Sequence, residues 1–198
     1  MTKELLVRGN SKMGEEVYHF SLPPIITCTP TSWCLKGNNG KPSCYATRNQ
    51  YTFASVRAAL HDRLLLSKKP DFVGRMIQEI HRKKVVYFRL HASGDFYSPE
   101  YVQKITEVVE QCPGTMFRTT TRRRDFKGLI KKLNSLPNCI VRESLDDERT
   151  LPVMELPFAA LSHLPIVKKF TTLECEDDCL KCGYQCWKKP VNICFPQK

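Results

Sequence analysis

A chain of 198 residues, 41% hydrophobic and 26% charged, is long enough to bury one core, and the expectation is a single globular domain. No run of eighteen apolar residues occurs, which argues against a spanning helix. Met1-Thr2-Lys3-Glu4-Leu5-Leu6 lacks the apolar stretch of a secretory signal, so a cytoplasmic location without membrane contact is expected. A formal charge of +11 favours polyanionic partners, nucleic acid first among them, with a merely solvated basic surface as the alternative.

In chain order, a turn-rich entry at Gly9-Asn10-Ser11-Lys12-Met13-Gly14 precedes a predicted strand over Val17 to Leu22. Cys28, Cys34 and Cys44 follow at C-x5-C-x9-C spacing, in a loop crowded with Pro30, Gly37, Asn38, Asn39, Gly40 and Pro42. Such a loop holds too little apolar mass to fold on its own side chains. Three thiolates converging on a metal would tie it down and leave one coordination position open. Thr47 to Ser67 reads as a helix ended by Pro70, and Asp71 as the cap of a second, striped by Phe72, Val73, Met76, Ile77 and Ile80. Val85 to Leu90 reads as a strand buried on both faces. Ser98-Pro99-Glu100 starts the next helix, ending near Pro113. Strand Met116–Thr120, a helix capped at Asp125, and strand Cys139–Glu143 come next, then short strands at Phe158–Ser162 and Val167–Leu173.

Alternation of strands and helices predicts an α/β fold with a parallel sheet, because parallel neighbours need a crossover. About six strands favour a partial (β/α) barrel, with residues 1–173 as the barrel, 26–48 as its metal-binding loop and 174–198 as a cysteine-rich tail. In a barrel the residues after each strand line one mouth. They include the cysteine loop, His91, Ser93-Gly94-Asp95, Thr121, Arg122, Arg142 and His163. Gly94 would let backbone approach a ligand, and Asp95 would offer its carboxylate to an amine or hydroxyl.

Ten cysteines without a signal point to metal or redox sites rather than a disulfide framework. Cys112 and Cys139 adjoin apolar strands and read as buried structural thiols. Cys175, Cys179, Cys182 and Cys186, at C-x3-C-x2-C-x3-C spacing, form a set of four suited to structural zinc or a saturated cluster, with Cys194 spare. Either the tail forms its own site, giving two metal sites in all, or it lends a cysteine to Cys28, Cys34 and Cys44. Arg122, Arg123, Arg124, Lys127, Lys131 and Lys132 form the densest basic stretch. Arg124 and Lys127 on one helical face with Lys131 are candidate phosphate contacts.

Early cysteines, a small-Gly-acid triplet after the second strand and a partial barrel resemble the radical S-adenosylmethionine superfamily, although that superfamily spaces its cysteines C-x3-C-x2-C. The resemblance implies a 4Fe-4S cluster at Cys28, Cys34 and Cys44, and S-adenosylmethionine bound near Ser93, Gly94 and Asp95. A closer set of features is Asn10-Ser11-Lys12, Phe20-Ser21-Leu22-Pro23, Cys44-Tyr45-Ala46, Ser93-Gly94-Asp95-Phe96 and Cys182 to Trp187. These resemble the phage-associated "gene product eighty-eight" family, which implies cysteine-bound metal, iron–sulfur in kind, in a phage or mobile-element protein of the host cytoplasm. The expected function is iron–sulfur cluster binding with the reaction unassigned. The alternatives are an atypical radical S-adenosylmethionine-like enzyme acting on nucleic acid or another polyanion, and a zinc-stabilised nucleic-acid-binding protein.

Overall fold

The computed structural model describes residues 4–37 and 40–196; Asn38 and Asn39, two of the loop's turn formers, lie outside them, as do residues 1–3 and 197–198 of the leader and tail readings. Eight strands form one sheet: β1 Val7–Arg8, β2 Val17–Phe20, β3 Tyr87–Leu90, β4 Met116–Thr121, β5 Cys139–Ser144, β6 Phe158–Leu161, β7 Thr172–Glu174 and β8 Asn192–Phe195. Their order is β1-β2-β3-β4-β5-β6-β8-β7. Only β1 runs antiparallel to its neighbour; the remaining pairings are all parallel. The α/β class and the parallel sheet are as expected, and the hydrogen-bonded order does not close on itself among the described residues.

Helices α2 Ala54–Lys68, α3 Phe72–Arg82, α4 Pro99–Gln111 and α5 Lys127–Asn134 follow the short α1 at Ser32–Lys36. The expected cap at Ser98 is present: its hydroxyl accepts from the Tyr101 N–H at 3.2 Å, and Pro99 opens the helix. Two expectations fail locally. The helix predicted from Thr47 begins only at Ala54, because Asn49 takes φ +53°, a left-handed value that an α-helix cannot propagate through. The strand predicted over Val167–Leu173 splits into α6 Pro165–Lys169 and β7, since Pro165 presets the helical φ for the first turn. Neither Asp71 nor Asp125 caps through its side chain; Asp125 sits inside a 3₁₀ turn, Arg124–Phe126, that precedes α5.

Register sorts the two faces. Tyr18, Phe88, Phe117 and Cys139 stand in one row across β2 to β5. That face packs on Phe72, Met76 and Ile80 of α3, Val102, Ile105 and Val109 of α4, and Ile130 and Leu133 of α5. Cys112 and Cys139 are buried in this core, as read from sequence. The opposite face, with Val17 and Tyr87, is covered by the tail through Tyr184, Trp187 and Ile193 and by α7 Gln185–Lys188. β7 straddles the 173/174 boundary, and β8, inside the tail, lies within the sheet between β6 and β7.

Two histidines, His91 buried and His19 half-buried, make the fold acid-sensitive. Burial pushes His91 down to about 3 and, helped by the nearby charges of Arg89 and Arg63, His19 to about 4. Both are neutral in the fold, whereas the unfolded chain takes up protons below about pH 6.5. Stability is therefore full above that pH and falls as pH drops toward 4, by about 1.4 kcal/mol per pH unit for each histidine. Urea midpoints at pH 7, 6 and 5 should fall in that order, and a His19→Gln variant should show about half the slope. A flat profile would contradict both assignments.

Candidate metal centre

The loop after β2 is fixed on the C-terminal ends of three strands. Thr27 Oγ1 accepts from the Asp95 N–H at 3.3 Å and donates to the Pro23 carbonyl at 2.6 Å. Thr29 Oγ1 donates to the Arg122 carbonyl after β4 at 3.2 Å, and Thr31 Oγ1 to Asp146 Oδ2 after β5 at 3.1 Å. Thr31 also caps α1, accepting from the Cys34 N–H, and the Glu148 carboxylate accepts from Ser32 N–H at 3.2 Å and from Trp33 N–H. The loop has no core of its own, as expected. Hydrogen bonds to the strand ends hold it.

Ser93-Gly94-Asp95 is the seat for this loop. Gly94 has φ +77°, and a Cβ there would stand 2.6 Å from Thr27 Oγ1 and 2.7 Å from Leu22 Cβ, so only glycine permits the approach. Ser93 Oγ donates to the Leu22 carbonyl at 2.9 Å. The buried Asp95 carboxylate accepts from Phe96 N–H (2.8 Å) and Thr121 Oγ1 (2.7 Å) on Oδ1, and from Arg122 N–H (2.8 Å) on Oδ2. Its two oxygens thus face protein donors already.

The three thiols are neighbours on this platform. Cys34 is buried on α1, with its sulfur 3.4 Å from Thr31 Oγ1. The Cys44 N–H donates to the Cys34 carbonyl at 3.3 Å. Burial, and then the Asp95 carboxylate, push the Cys28 thiol up to about 12, with Cys44 close enough to add to the effect. Burial raises Cys44 too, against the lowering influence of Arg122. Among the described residues, no three His, Cys, Asp or Glu side chains already stand in ligating geometry. The donor set nonetheless suits a thiophilic metal: three sulfurs on one pinned loop, no competing histidine ligand, and a cation alongside. Arg122 donates to Ser144 Oγ at 3.0 Å and pairs with Asp146 at 3.4 Å; its guanidinium carbon lies 5.9 Å from the Trp33 ring centroid. Its buried Nε has no hydrogen-bond partner among the described residues.

The tail cysteines lie elsewhere. Cys175, Cys179 and Cys186 pack with Val17, Tyr87 and Met116, the first residues of β2, β3 and β4, whereas the early loop sits past the last residues of the same strands. The tail cysteines therefore stand at the opposite ends of these strands from Cys28, Cys34 and Cys44. Cys182 is one turn from Cys179, whose carbonyl accepts from the Cys182 thiol at 3.5 Å. Cys194 is buried on β8, opposite Ala160 and Glu174.

The other candidate residues are occupied structurally. His91 is buried, hydrogen-bonded through Nε2 to Tyr101 Oη at 3.0 Å. His163 pairs with Asp147 at the surface. Arg124 pairs with the buried Glu143 at 2.7 Å, and Lys127 and Lys131 share Glu155, so the basic helical face is met by acids. Arg142 is buried and donates to three tail carbonyls: Nε to Val191 (2.8 Å), Nη1 to Cys186 (3.0 Å) and Nη2 to Lys189 (2.7 Å). The sequence reading missed Asp146, Glu148 and the threonines of the loop. A faint signal was present in Asp146-Asp147-Glu148, an acidic run directly after a predicted strand.

Fold and site together define a cysteine-rich α/β protein that carries a thiol-bearing loop on the C-terminal ends of a largely parallel sheet. The chain belongs to the Gene product 88 family, whose model matches residues 4–160. That span takes in β1 to β5, the early cysteines and Ser93-Gly94-Asp95, and stops before the tail cysteines. No curated protein and no solved structure matches the chain. The family match supports the closer of the two resemblances; the comparisons give no support to the radical S-adenosylmethionine one. Among the described residues no helix is long and apolar enough to cross a membrane.

Proposed function

We propose that the chain is an iron–sulfur protein of phage or mobile-element origin, working in the host cytoplasm, with a 4Fe-4S cluster on Cys28, Cys34 and Cys44. The cluster would sit at the mouth of a partial (β/α) barrel, and a second, tail-borne metal site would use Cys175, Cys179, Cys182 and Cys186. One observation carries the reading. A loop with no apolar core is hydrogen-bonded to three successive strand ends and carries all three thiols. The Cys28 thiol, pushed up to about 12, stays protonated at neutral pH, so a metal that displaces its proton is what would make it useful. With three protein thiolates, one iron keeps an open position for an exogenous ligand. Arg122, whose charge already acts on Cys44, would supply a positive charge near the bound group. The reaction is left unassigned.

Anaerobic purification followed by iron, acid-labile sulfide and zinc analysis tests this. Iron and sulfide should appear in equal amounts, and Cys28→Ser, Cys34→Ser or Cys44→Ser should each abolish the early cluster. Cys112→Ser and Cys139→Ser should leave the metal content unchanged. Colourless protein free of iron and zinc would falsify the reading.

A further inference from the structure

The middle of a parallel sheet is ordinarily apolar on both faces. Here only one face follows that rule. Side chains alternate along a strand, so the face that carries Val17, Tyr87 and Met116 carries His19, Arg89 and Arg118 two residues further on, in register across β2, β3 and β4. Tyr184 and Trp187 of the tail cover the first of these rows. Beyond them the face is partly open. His19, Arg89, Arg118 and Thr120 are half-buried, whereas Phe88, Phe117 and Val141 on the other face are fully covered.

Arg89 and Arg118 are direct cross-strand neighbours, on strands about 5 Å apart, and like charges so placed repel. No acid relieves them. Among the described residues the Arg89 guanidinium has one acceptor, the weakly accepting Met13 thioether at 3.8 Å, and that of Arg118 has none. The Arg118 guanidinium carbon lies 4.4 Å from the Trp187 ring centroid, and that ring is fixed, since it is buried and its Nε1–H donates to the Phe88 carbonyl at 3.2 Å. Elsewhere the chain meets its cations with acids: Arg122 with Asp146, Arg123 with Asp125, Arg124 with Glu143, and Lys127 and Lys131 with Glu155. Two accessible arginines side by side without a carboxylate, one held on a rigid aromatic ring, form a receptor for an anion with several oxygens.

We propose that Arg89 and Arg118 bind a dianionic phosphate group, free or on a small ester, on the open part of this face. Charge selects the ligand. A phosphate monoester carries about −1.5 to −2 at neutral pH and offsets two guanidinium groups, whereas a carboxylate or a nucleic-acid phosphodiester brings a single charge. Shape selects the donors, because each guanidinium presents a planar fork that matches a pair of phosphate oxygens. The tail closes the face on one side of the arginines, and the strands run on from them to the ends that carry the thiol loop. The organic part of an ester therefore extends toward that loop. The site uses no cysteine and goes beyond the cluster proposed above.

Titration calorimetry of the full chain at constant ionic strength tests this, with inorganic phosphate, adenosine monophosphate and an unphosphorylated single-stranded oligonucleotide as probes. Phosphate or the monophosphate should bind saturably, and Arg89→Met and Arg118→Met should each weaken that binding about 10–100-fold, the worth of the charge-assisted hydrogen bonds removed. Arg118→Lys should recover only part of the loss, since an ammonium has no fork. Lys132→Met, on the exposed side of α5, should bind as wild type does. Tighter binding of the monophosphate than of phosphate would identify an ester as the ligand, and equal affinity would identify free phosphate. No saturable binding of either, affinity unchanged in both arginine variants, an equal loss in Lys132→Met, or binding of the oligonucleotide alone would overturn the proposal. Phosphate should also raise the urea midpoint of wild type but not of Arg89→Met; an equal rise in both would count against the site even if Arg118→Met fails to fold. None of these readouts depends on metal content, so the site and the cluster stand or fall separately.

Discussion

Arg142→Met should unfasten the tail and cost about 3–5 kcal/mol of stability. The guanidinium sits on β5 and donates to the carbonyls of Cys186, Lys189 and Val191, so one side chain fixes the tail segment leading into β8. Methionine fills the same volume but leaves three acceptors facing an apolar wall. Replacing a buried polar pair by two apolar groups is often tolerated; removing one side and stranding the other is not. Arg142→Lys should recover less than half the loss, because an ammonium cannot fork toward three carbonyls in fixed directions. The lost stability should register as a lower urea midpoint, and trypsin should cut after Lys188 before the rest of the chain. A midpoint unchanged within error would show that the clip contributes nothing.

Asp95→Ala should be about as damaging, again roughly 3–5 kcal/mol, for a different reason. Its carboxylate collects the N–H groups of Phe96 and Arg122 and the Thr121 hydroxyl, three donors that have no water to turn to. Asp95→Asn should cost roughly 2 kcal/mol, since its amide keeps one acceptor oxygen but presents N–H to a backbone N–H. Because the Asp95 N–H also bonds Thr27, the cysteine loop should loosen with it. Faster alkylation of Cys28 and Cys44 in Asp95→Ala than in wild type would register that loosening. Equal rates would separate the carboxylate from the loop. A ligand lost from Asp95→Ala would not by itself show that Asp95 touches it.

The sheet and its helices were legible because their residues repeat with a period. The stripe on α3 and the apolar run of β3 need no distant partner to be read, and Ser98-Pro99-Glu100 announces α4 by local chemistry alone. β8 was not legible: Asn192–Phe195 is four residues between Pro190 and Pro196 in a stretch dominated by cysteines, too short for alternation to register. Cysteines mark themselves by residue type, so the thiol loop stood out. What holds the loop did not, because Thr31 and Asp146 are 115 residues apart and either alone looks like a solvated turn residue. The basic run misled for the same reason. Glu143 and Glu155, which pair with it, come from β5 and the loop beyond.

The position of β8 has an outcome for biosynthesis. Among the described residues β7 joins the sheet through β8 alone, so it cannot pair until residues 192–195 are in place. Without β8, β6 would present a raw edge to neighbouring chains.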